Sequence, residues 1–456
     1  MQERFDKLII VKTINEIASS IGITSFRSPQ DEIIKSIIGK KITLALLPTG
    51  YGKSICYQIP AIYFPKYTLV ISPLIALMDD QVFNLRKKDI SAIALHSSQE
   101  VDSKTFLDLF HKNHYKLIYI SPEKLLNNNY QKLFKDNPPS LIAIDEAHCF
   151  SLWGHDFRPE YRRLPKYIFE INPSPAIALF TATASKKVIV DLVGSFNIRK
   201  ENIFAGDFFR QNLFISIKKF FLKSQKFLYL CYLVFHKYKN KNGLIYCITR
   251  KEVEILYKAL KKYDFFKKLK LEFFHAGRDK KEKQIILEKF IKNEIKLLIT
   301  TNAFGMGVDK SNINFVVHFQ IPSCLENYVQ EIGRAGRDRK LSFCELLAHS
   351  NDFEVHKNFN SKKSAIKKMS DYIEKNSCHH KKILSFFGQP MKYSFNCQSC
   401  NYCSPSSEIF FKKFNSIQKS NTFINQQKII FKYKKYPRFL NQYNSVGSGY
   451  LLDVLE

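Results

Sequence analysis

The stretch LLPTGYGKSICYQIP, residues 46–60, sets Gly52, Lys53 and Ser54 directly after an apolar run. A lysine at such a turn reaches the terminal phosphates of a nucleotide, and the following hydroxyl offers an oxygen to Mg²⁺. The general phosphate-loop spacing G-x-x-x-x-G-K-[ST] fits these three residues but puts Leu47 at its first glycine, and Tyr51 lies inside the loop. A second acidic motif, LIAIDEAHC, places Asp145 and Glu146 just after another apolar run. There an aspartate holds Mg²⁺ through water and the adjoining glutamate activates the attacking water. Alone, Gly-Lys-Ser leaves room for a chance match and Asp-Glu is more often a solvated turn; together they complete the parts of an ATPase. A third group, Cys397, Cys400 and Cys403, has C-x₂-C-x₂-C spacing with Cys378 upstream. Four thiolates read as a tetrahedral structural zinc site, with free buried thiols or an iron–sulfur cluster as alternatives, and His379 or His380 as substitutes for Cys378.

These residues need elements that aim them. ITLALL, YTLVIS, KLIYIS, LIAID and AIALFTA alternate with helix-compatible stretches, and GLIYC, LEFFHA, KLLIT and NFVVHF repeat the arrangement. Short apolar runs between helices are the pattern of parallel strands covered on both faces. Two consecutive α/β domains follow, meeting near residues 205–215, with chemistry gathered at the carboxyl ends of strands. From about residue 346 the chain becomes rich in Lys, Asn and Ser, and beyond Cys403 it is basic and polar without clear periodicity.

Composition narrows the class. The 456 residues carry 71 Lys+Arg against 41 Asp+Glu, a net +30, with 45% hydrophobic residues. That excess fits a polyanion partner such as nucleic acid, although an AT-rich coding bias toward Lys, Ile, Asn and Phe explains part of it. The N-terminal MQERFDKLII mixes charges of both signs and does not read as a signal peptide. No apolar run approaches the ~18 residues a membrane span needs, so a cytoplasmic protein with no membrane partner is expected.

PTGYGKS, DEAH and FTATAS resemble the signature segments of superfamily-two helicases, and the fuller match, over roughly residues 10–405, is to the RecQ family of DNA helicases. The resemblance implies two tandem RecA-like parallel-sheet domains, 1–208 binding ATP and 209–345. A helical zinc-binding subdomain, 346–405, and a basic tail, 406–456, follow. FRSPQDEII matches the adenine-reading segment, with Arg27 beside Gln30, whose amide donor and acceptor match adenine N6 and N7. Thr49, Gly50, Gly52, Lys53 and Ser54 would form the phosphate loop, with Ser54 and Asp145 as Mg²⁺ ligands. Two positions depart from the family: Ile23 stands where an aromatic usually stacks on the base, and Tyr51 replaces the middle glycine of a Gly-Gly-Gly run.

SLWGHDFRPEYRRL, residues 151–164, resembles the aromatic-rich loop that couples single-stranded DNA to hydrolysis. Trp153 and Phe157 offer stacking faces, Arg158 a phosphate contact, and His155 and Asp156 a relay. TTNAFGMGVDK and QEIGRAGRDR match the fifth and sixth motifs, which implies Arg334 and Arg337 as arginine fingers and Asp309 and Gln330 in the nucleotide site. Ser72, Ser121, Thr249, Arg250 and His275 fall in segments that touch the DNA backbone. The family's zinc subdomain assigns Zn²⁺ to Cys378, Cys397, Cys400 and Cys403 together.

The expected protein is an ATP-dependent 3′–5′ DNA helicase of repair or recombination, cytoplasmic and nucleoid-associated. It would work as a monomer on single-stranded, tailed or forked DNA, with single-stranded-DNA-binding or repair proteins as partners. Only 53 residues follow Cys403, too few for the winged helix of longer relatives, so a short form with a truncated one is expected. The alternatives are an RNA helicase of the same superfamily and a non-motor DNA-binding or strand-annealing protein with a decayed ATPase.

Overall fold

The computed structural model describes residues 13–97, 103–152, 157–171, 176–302, 304, 310–358, 362–389 and 394–405. The chain divides after Phe208 into two compact units. In the first, seven strands are β1 Thr43–Leu46, β2 Thr68–Ile71, β3 Ala92–Leu95, β4 Leu117–Ile120, β5 Leu141–Ile144, β6 Ala176–Thr181 and β7 Ile203–Ala205. They form one sheet in the order β3-β4-β2-β5-β6-β1-β7, and each pair is parallel. Residues of β1 to β6 are buried throughout, the burial that their uninterrupted apolar runs require. On one face, Ile33, Ile34 and Ile37 of the helix Gln30–Ile38 pack with Ala45, Val70 and Ala178 of the strands.

The second unit holds β8 Leu213–Phe220, β9 Gly243–Tyr246, β10 Leu271–Phe274, β11 Leu297–Thr300, β12 Phe315–His318 and β13 Ser342–His349. Their order is β10-β11-β9-β12-β13-β8, again parallel at every pairing. The expectation of two parallel-sheet domains followed by a cysteine-bearing subdomain therefore holds. β13 runs through residue 345, where the sequence reading ends the second domain.

β8 is an edge strand, and an uncovered edge invites pairing with other chains. The cysteine segment covers it: Ile215 N–H donates to Ser399 O at 3.0 Å and Asn401 N–H donates to Ile215 O at 3.0 Å. No helix among the described residues is long and apolar enough to cross a membrane.

Candidate functional site

In the first sheet, β6 lies between β1 and β5, so the loops leaving their carboxyl ends are neighbours. Leu47 N–H donates to Thr181 O at 3.0 Å, which fixes the start of the phosphate loop against the end of β6. Across that junction Lys53 Nζ lies 3.0 Å from Glu146 Oε1 and 3.7 Å from Asp145 Oδ1. Glu146 adopts a left-handed backbone, φ 47°, and its N–H donates to Asp145 Oδ1 at 2.9 Å. Glu146 Oε2 lies 3.3 Å from His148 Nδ1, and the same nitrogen is 3.0 Å from Thr181 Oγ1 of the FTATAS segment. Half-buried Lys53 and the buried neighbours Asp145 and Glu146, far from it in sequence, thus form one charge cluster.

Burial favours the neutral form of each group, so the charges must hold one another. Burial alone would lower Lys53, but Glu146 and Asp145 outweigh it and hold the ammonium above its ordinary value. Burial likewise pushes Glu146 up, yet Lys53 and His148 pull it well below the usual carboxylate range. Asp145, farther from the lysine, stays raised by burial. Two buried carboxylates against one close ammonium leave negative charge that a divalent cation would offset, so the donor set of Asp145 and Ser54 fits Mg²⁺. Ser54 precedes the helix Ile55–Tyr63 without spending its side chain on a cap.

The segment expected to read the base is bound to the loop. Arg27 Nη1 donates to Gly50 O at 3.0 Å; Gln30 Nε2 donates to Tyr51 O at 2.8 Å and to Gly52 O at 3.3 Å. Gln30 Oε1 accepts from Arg27 N–H at 2.8 Å. The amide expected to read adenine is here engaged with backbone. Gly50 and Gly52 have φ of 79° and 88°, which the loop's path demands and L side chains resist.

The residues expected at DNA divide into several cases. Phe157 and Arg158 are half-buried; Arg158 Nη1 lies 3.6 Å from Glu123 Oε1 in the SPEKL segment, so these two segments are brought together. Ser72 and Ser121 are buried, and Ser121 Oγ caps its helix by accepting from Lys124 N–H at 3.3 Å. In the second unit Thr249 Oγ1 caps the helix Arg250–Leu260, accepting from Glu252 N–H at 3.1 Å. His275 Nε2 is 3.2 Å from Glu254 Oε1. Trp153, His155, Asp156, Asp309 and the tail 406–456 lie outside the described residues.

Gln330 is half-buried on the helix Leu325–Ile332, Arg334 is buried and Arg337 half-buried on the turn beyond it. Two residues that sequence reasoning missed hold that turn. Arg210 Nη2 donates to Gly336 O at 2.8 Å, and Asn212 Nδ2 donates to the same oxygen at 2.9 Å. Gly336 has φ 59°, and a Cβ there would lie 2.4 Å from Asn212 Nδ2. The Gly-Arg-Ala-Gly-Arg spacing announces a tight turn, but its clamp comes from more than a hundred residues upstream.

The sulfurs of Cys378, Cys397, Cys400 and Cys403 all lie within 4.8 Å of one another. A tetrahedral zinc–thiolate centre needs sulfurs about 3.8 Å apart, so the four fit Zn²⁺ with small adjustment. Cys378 Sγ and Cys400 Sγ also accept backbone N–H from Lys381 and Cys403, each at 3.4 Å, which favours thiolates. The histidines point elsewhere: His379 Nε2 is 2.8 Å from Asn401 Oδ1, and His380 Nε2 donates to Leu213 O at 3.0 Å. Among the described residues, the group placed to hold a metal is therefore these four cysteines.

Residues 27–192 match the DEAD/DEAH box helicase family, 225–339 the helicase conserved C-terminal domain, and 343–404 the RecQ zinc-binding family. Among curated relatives, the ATP-dependent DNA helicase RecQ of Bacillus subtilis is 38% identical over 85% of this chain and 66% of its own. That of Pasteurella multocida is 34% identical, over 88% and 63%. A putative ATP-dependent RNA helicase, R290 of Acanthamoeba polyphaga mimivirus, is 35% identical over 84% of this chain and 70% of its own. The chain thus spans slightly less than two thirds of the length of the two bacterial relatives. Saccharomyces cerevisiae Dbp5 bound to RNA and ADP BeF3 shares the fold, with TM-score 0.63 at 15% identity over 91% of this chain and 100% of the other. The helicase MrfA bound to DNA does so with TM-score 0.62 at 18% identity, over 82% and 57%.

Proposed function

We propose that this chain, which belongs to the RecQ family of DNA helicases, hydrolyses ATP to move along single-stranded DNA from 3′ to 5′ and so separates duplex strands. The observation that carries this reading is the cluster of Lys53 with Asp145 and Glu146, linked through His148 to Thr181.

When nucleotide binds, Lys53 turns from Glu146 to the terminal phosphates. Glu146 then keeps its burial but loses its cation, so its proton affinity rises and it becomes an effective base toward the attacking water. Asp145 and Ser54 would hold Mg²⁺, which would offset phosphate charge. Gln30 and Arg27 address the base. Arg334 and Arg337, on a turn fixed by Arg210 and Asn212, supply positive charge to the departing phosphate, with Gln330 and Asp309 holding the nucleotide.

Phe157 and Arg158, with Trp153 and His155, read single-stranded DNA in the first unit; Thr249, Arg250 and His275 grip its backbone in the second. The zinc centre stabilises and does not catalyse, since four cysteines leave no coordination position for substrate. Repair or recombination, single-stranded-DNA-binding partners, a monomeric state and a nucleoid location belong to the same reading.

Strand displacement from a 3′-tailed DNA duplex, with Lys53→Ala as control, tests it. Displacement by the wild type alone supports the proposal. Displacement only of an RNA duplex would favour the RNA alternative, and ATP-independent annealing the non-motor one.

A further inference from the structure

The loop residue that departs from the family has a specific partner. Tyr51 Oη donates to Ser28 O at 2.6 Å, while its ring packs beside Gly206, where a Cβ would come within 3.3 Å of Tyr51 Cε1. Gly206 sits just past β7, and its N–H donates to Leu46 O at 2.9 Å, so the ring rests on the first sheet. Arg27 lies over the same ring, with its guanidinium carbon 5.8 Å from the centroid.

The contacts joining the Arg27–Gln30 segment to the loop are not equivalent. Arg27 and Gln30 donate to carbonyls of Gly50, Tyr51 and Gly52. Those donors are the groups assigned to the nucleotide base, so contact with a base competes with their grip on the loop. The Tyr51–Ser28 bond runs the other way, from loop to segment, and uses no group assigned to nucleotide. It persists when the others are exchanged. A loop with two glycines at positive φ would otherwise gain freedom at the moment it must hold phosphates.

We propose that Tyr51 is a positioning residue for nucleotide binding: its hydroxyl on Ser28 O keeps the phosphate loop docked to the base-reading segment while Arg27 and Gln30 exchange loop carbonyls for a purine. The inference rests on the ATP-binding reading of this loop and adds a coupling between base and phosphate recognition.

The test measures binding of ATP and of inorganic tripolyphosphate, which has no base, to the full chain in magnesium buffer. Wild type, Tyr51→Phe, Tyr51→Gly and Lys53→Ala are compared. Loss of one hydrogen bond should weaken ATP about three- to tenfold in Tyr51→Phe, and at least as much in Tyr51→Gly. Tripolyphosphate, which leaves Arg27 and Gln30 on the loop, should weaken less than about twofold. In steady state the KM for ATP should rise with kcat changed less than about twofold, the split expected of lost uniform binding. Equal losses for the two ligands, or none in Tyr51→Phe, would overturn the coupling while leaving the ATP site in place. Failure of the wild type to bind ATP, or unchanged binding in Lys53→Ala, would instead remove the nucleotide reading itself.

Discussion

The hydroxyl of Tyr161 donates to the main-chain carbonyl of Asp145 at 2.9 Å. Tyr161 is fully buried in the helix Pro159–Ile171, which begins directly after Phe157 and Arg158. Asp145 belongs to the charge cluster with Lys53 and Glu146. One hydrogen bond therefore joins the helix behind the segment proposed to read DNA to the backbone of the aspartate proposed to hold Mg²⁺.

Tyr161→Phe keeps the ring and removes that link, leaving a buried carbonyl short of one partner. Folding should lose about 1–2 kcal/mol. The stimulation of ATP turnover by single-stranded DNA should fall several-fold more than turnover without DNA. Parallel ATPase assays with and without a DNA oligonucleotide check this, and equal loss in both would confine Tyr161 to packing.

Lys53→Ala should abolish ATP turnover and also change how stability depends on pH. In the wild type Glu146 is held below its ordinary 4.5 despite burial, because Lys53 and His148 face it. A depressed carboxylate contributes stability that is present above the unfolded value and lost as pH falls through the folded one. Without Lys53 only His148 opposes burial, so Glu146 rises and the variant loses less stability on acidification than the wild type. The difference in melting temperature between wild type and variant should be widest near neutral pH and narrow as pH falls below about 4.5. Melting curves across that range measure it; a constant gap would mean that Lys53 does not control Glu146.

Gly52→Ala strains the loop in two ways. The residue has φ 88°, and its new methyl would lie 2.7 Å from Gln30 Nε2. Gln30 must retreat from Tyr51 O and Gly52 O. ATP affinity should fall more than tenfold, with a folding cost of about 1–2 kcal/mol for the positive φ. Nucleotide titration together with thermal melting separates the two effects.

Removing the metal should uncover an edge. Ser399 and Asn401, between the cysteines, pair with Ile215 on β8. Cys397→Ser or strong chelation should release about one zinc per chain, lower the melting temperature by more than about 5 °C and promote aggregation. Metal analysis and light scattering report both. Iron with visible charge-transfer absorption, in place of zinc, would restore the iron–sulfur alternative.

The strands legible in sequence were those whose burial is apolar on both faces. TLAL, LIAI and FVVH form β1, β5 and β12, with polar residues only at an end, Thr43 and His318. β8 and β13 escaped because polar residues interrupt their apolar runs, and those of β13 are buried by distant partners. Glu345 of β13 accepts from Lys237 Nζ at 2.8 Å and Tyr238 Oη at 2.7 Å, and His349 Nε2 is 2.9 Å from Phe221 O. The phosphate loop, the acidic pair and the four cysteines were legible because their chemistry fixes residue type at short spacing. The Tyr51–Ser28 and Arg210–Gly336 contacts were not, since tyrosine and arginine at those places have many other uses.

The second unit offers the clearest test of DNA binding. A Cβ at Gly277 would lie 3.2 Å from Arg250 Nη1 and 3.3 Å from His275 Nδ1, so the three residues surround one small space. His275 Nδ1 is buried without a hydrogen-bond partner among the described residues, while Nε2 faces Glu254. Thr249 caps the adjoining helix Arg250–Leu260, whose N-terminus adds a positive field. A strand phosphate held there would contact Arg250 and the free face of His275. Arg250→Ala should weaken single-stranded DNA binding and reduce the slope of log K against log salt by about 0.7, the value for one phosphate contact on a single strand. His275→Gln removes the other ring nitrogen that faces this space and should weaken binding with a smaller change in that slope than Arg250→Ala. Anisotropy titrations of a labelled oligonucleotide at several salt concentrations distinguish the two. An unchanged slope in Arg250→Ala would place the backbone contact elsewhere on the second unit.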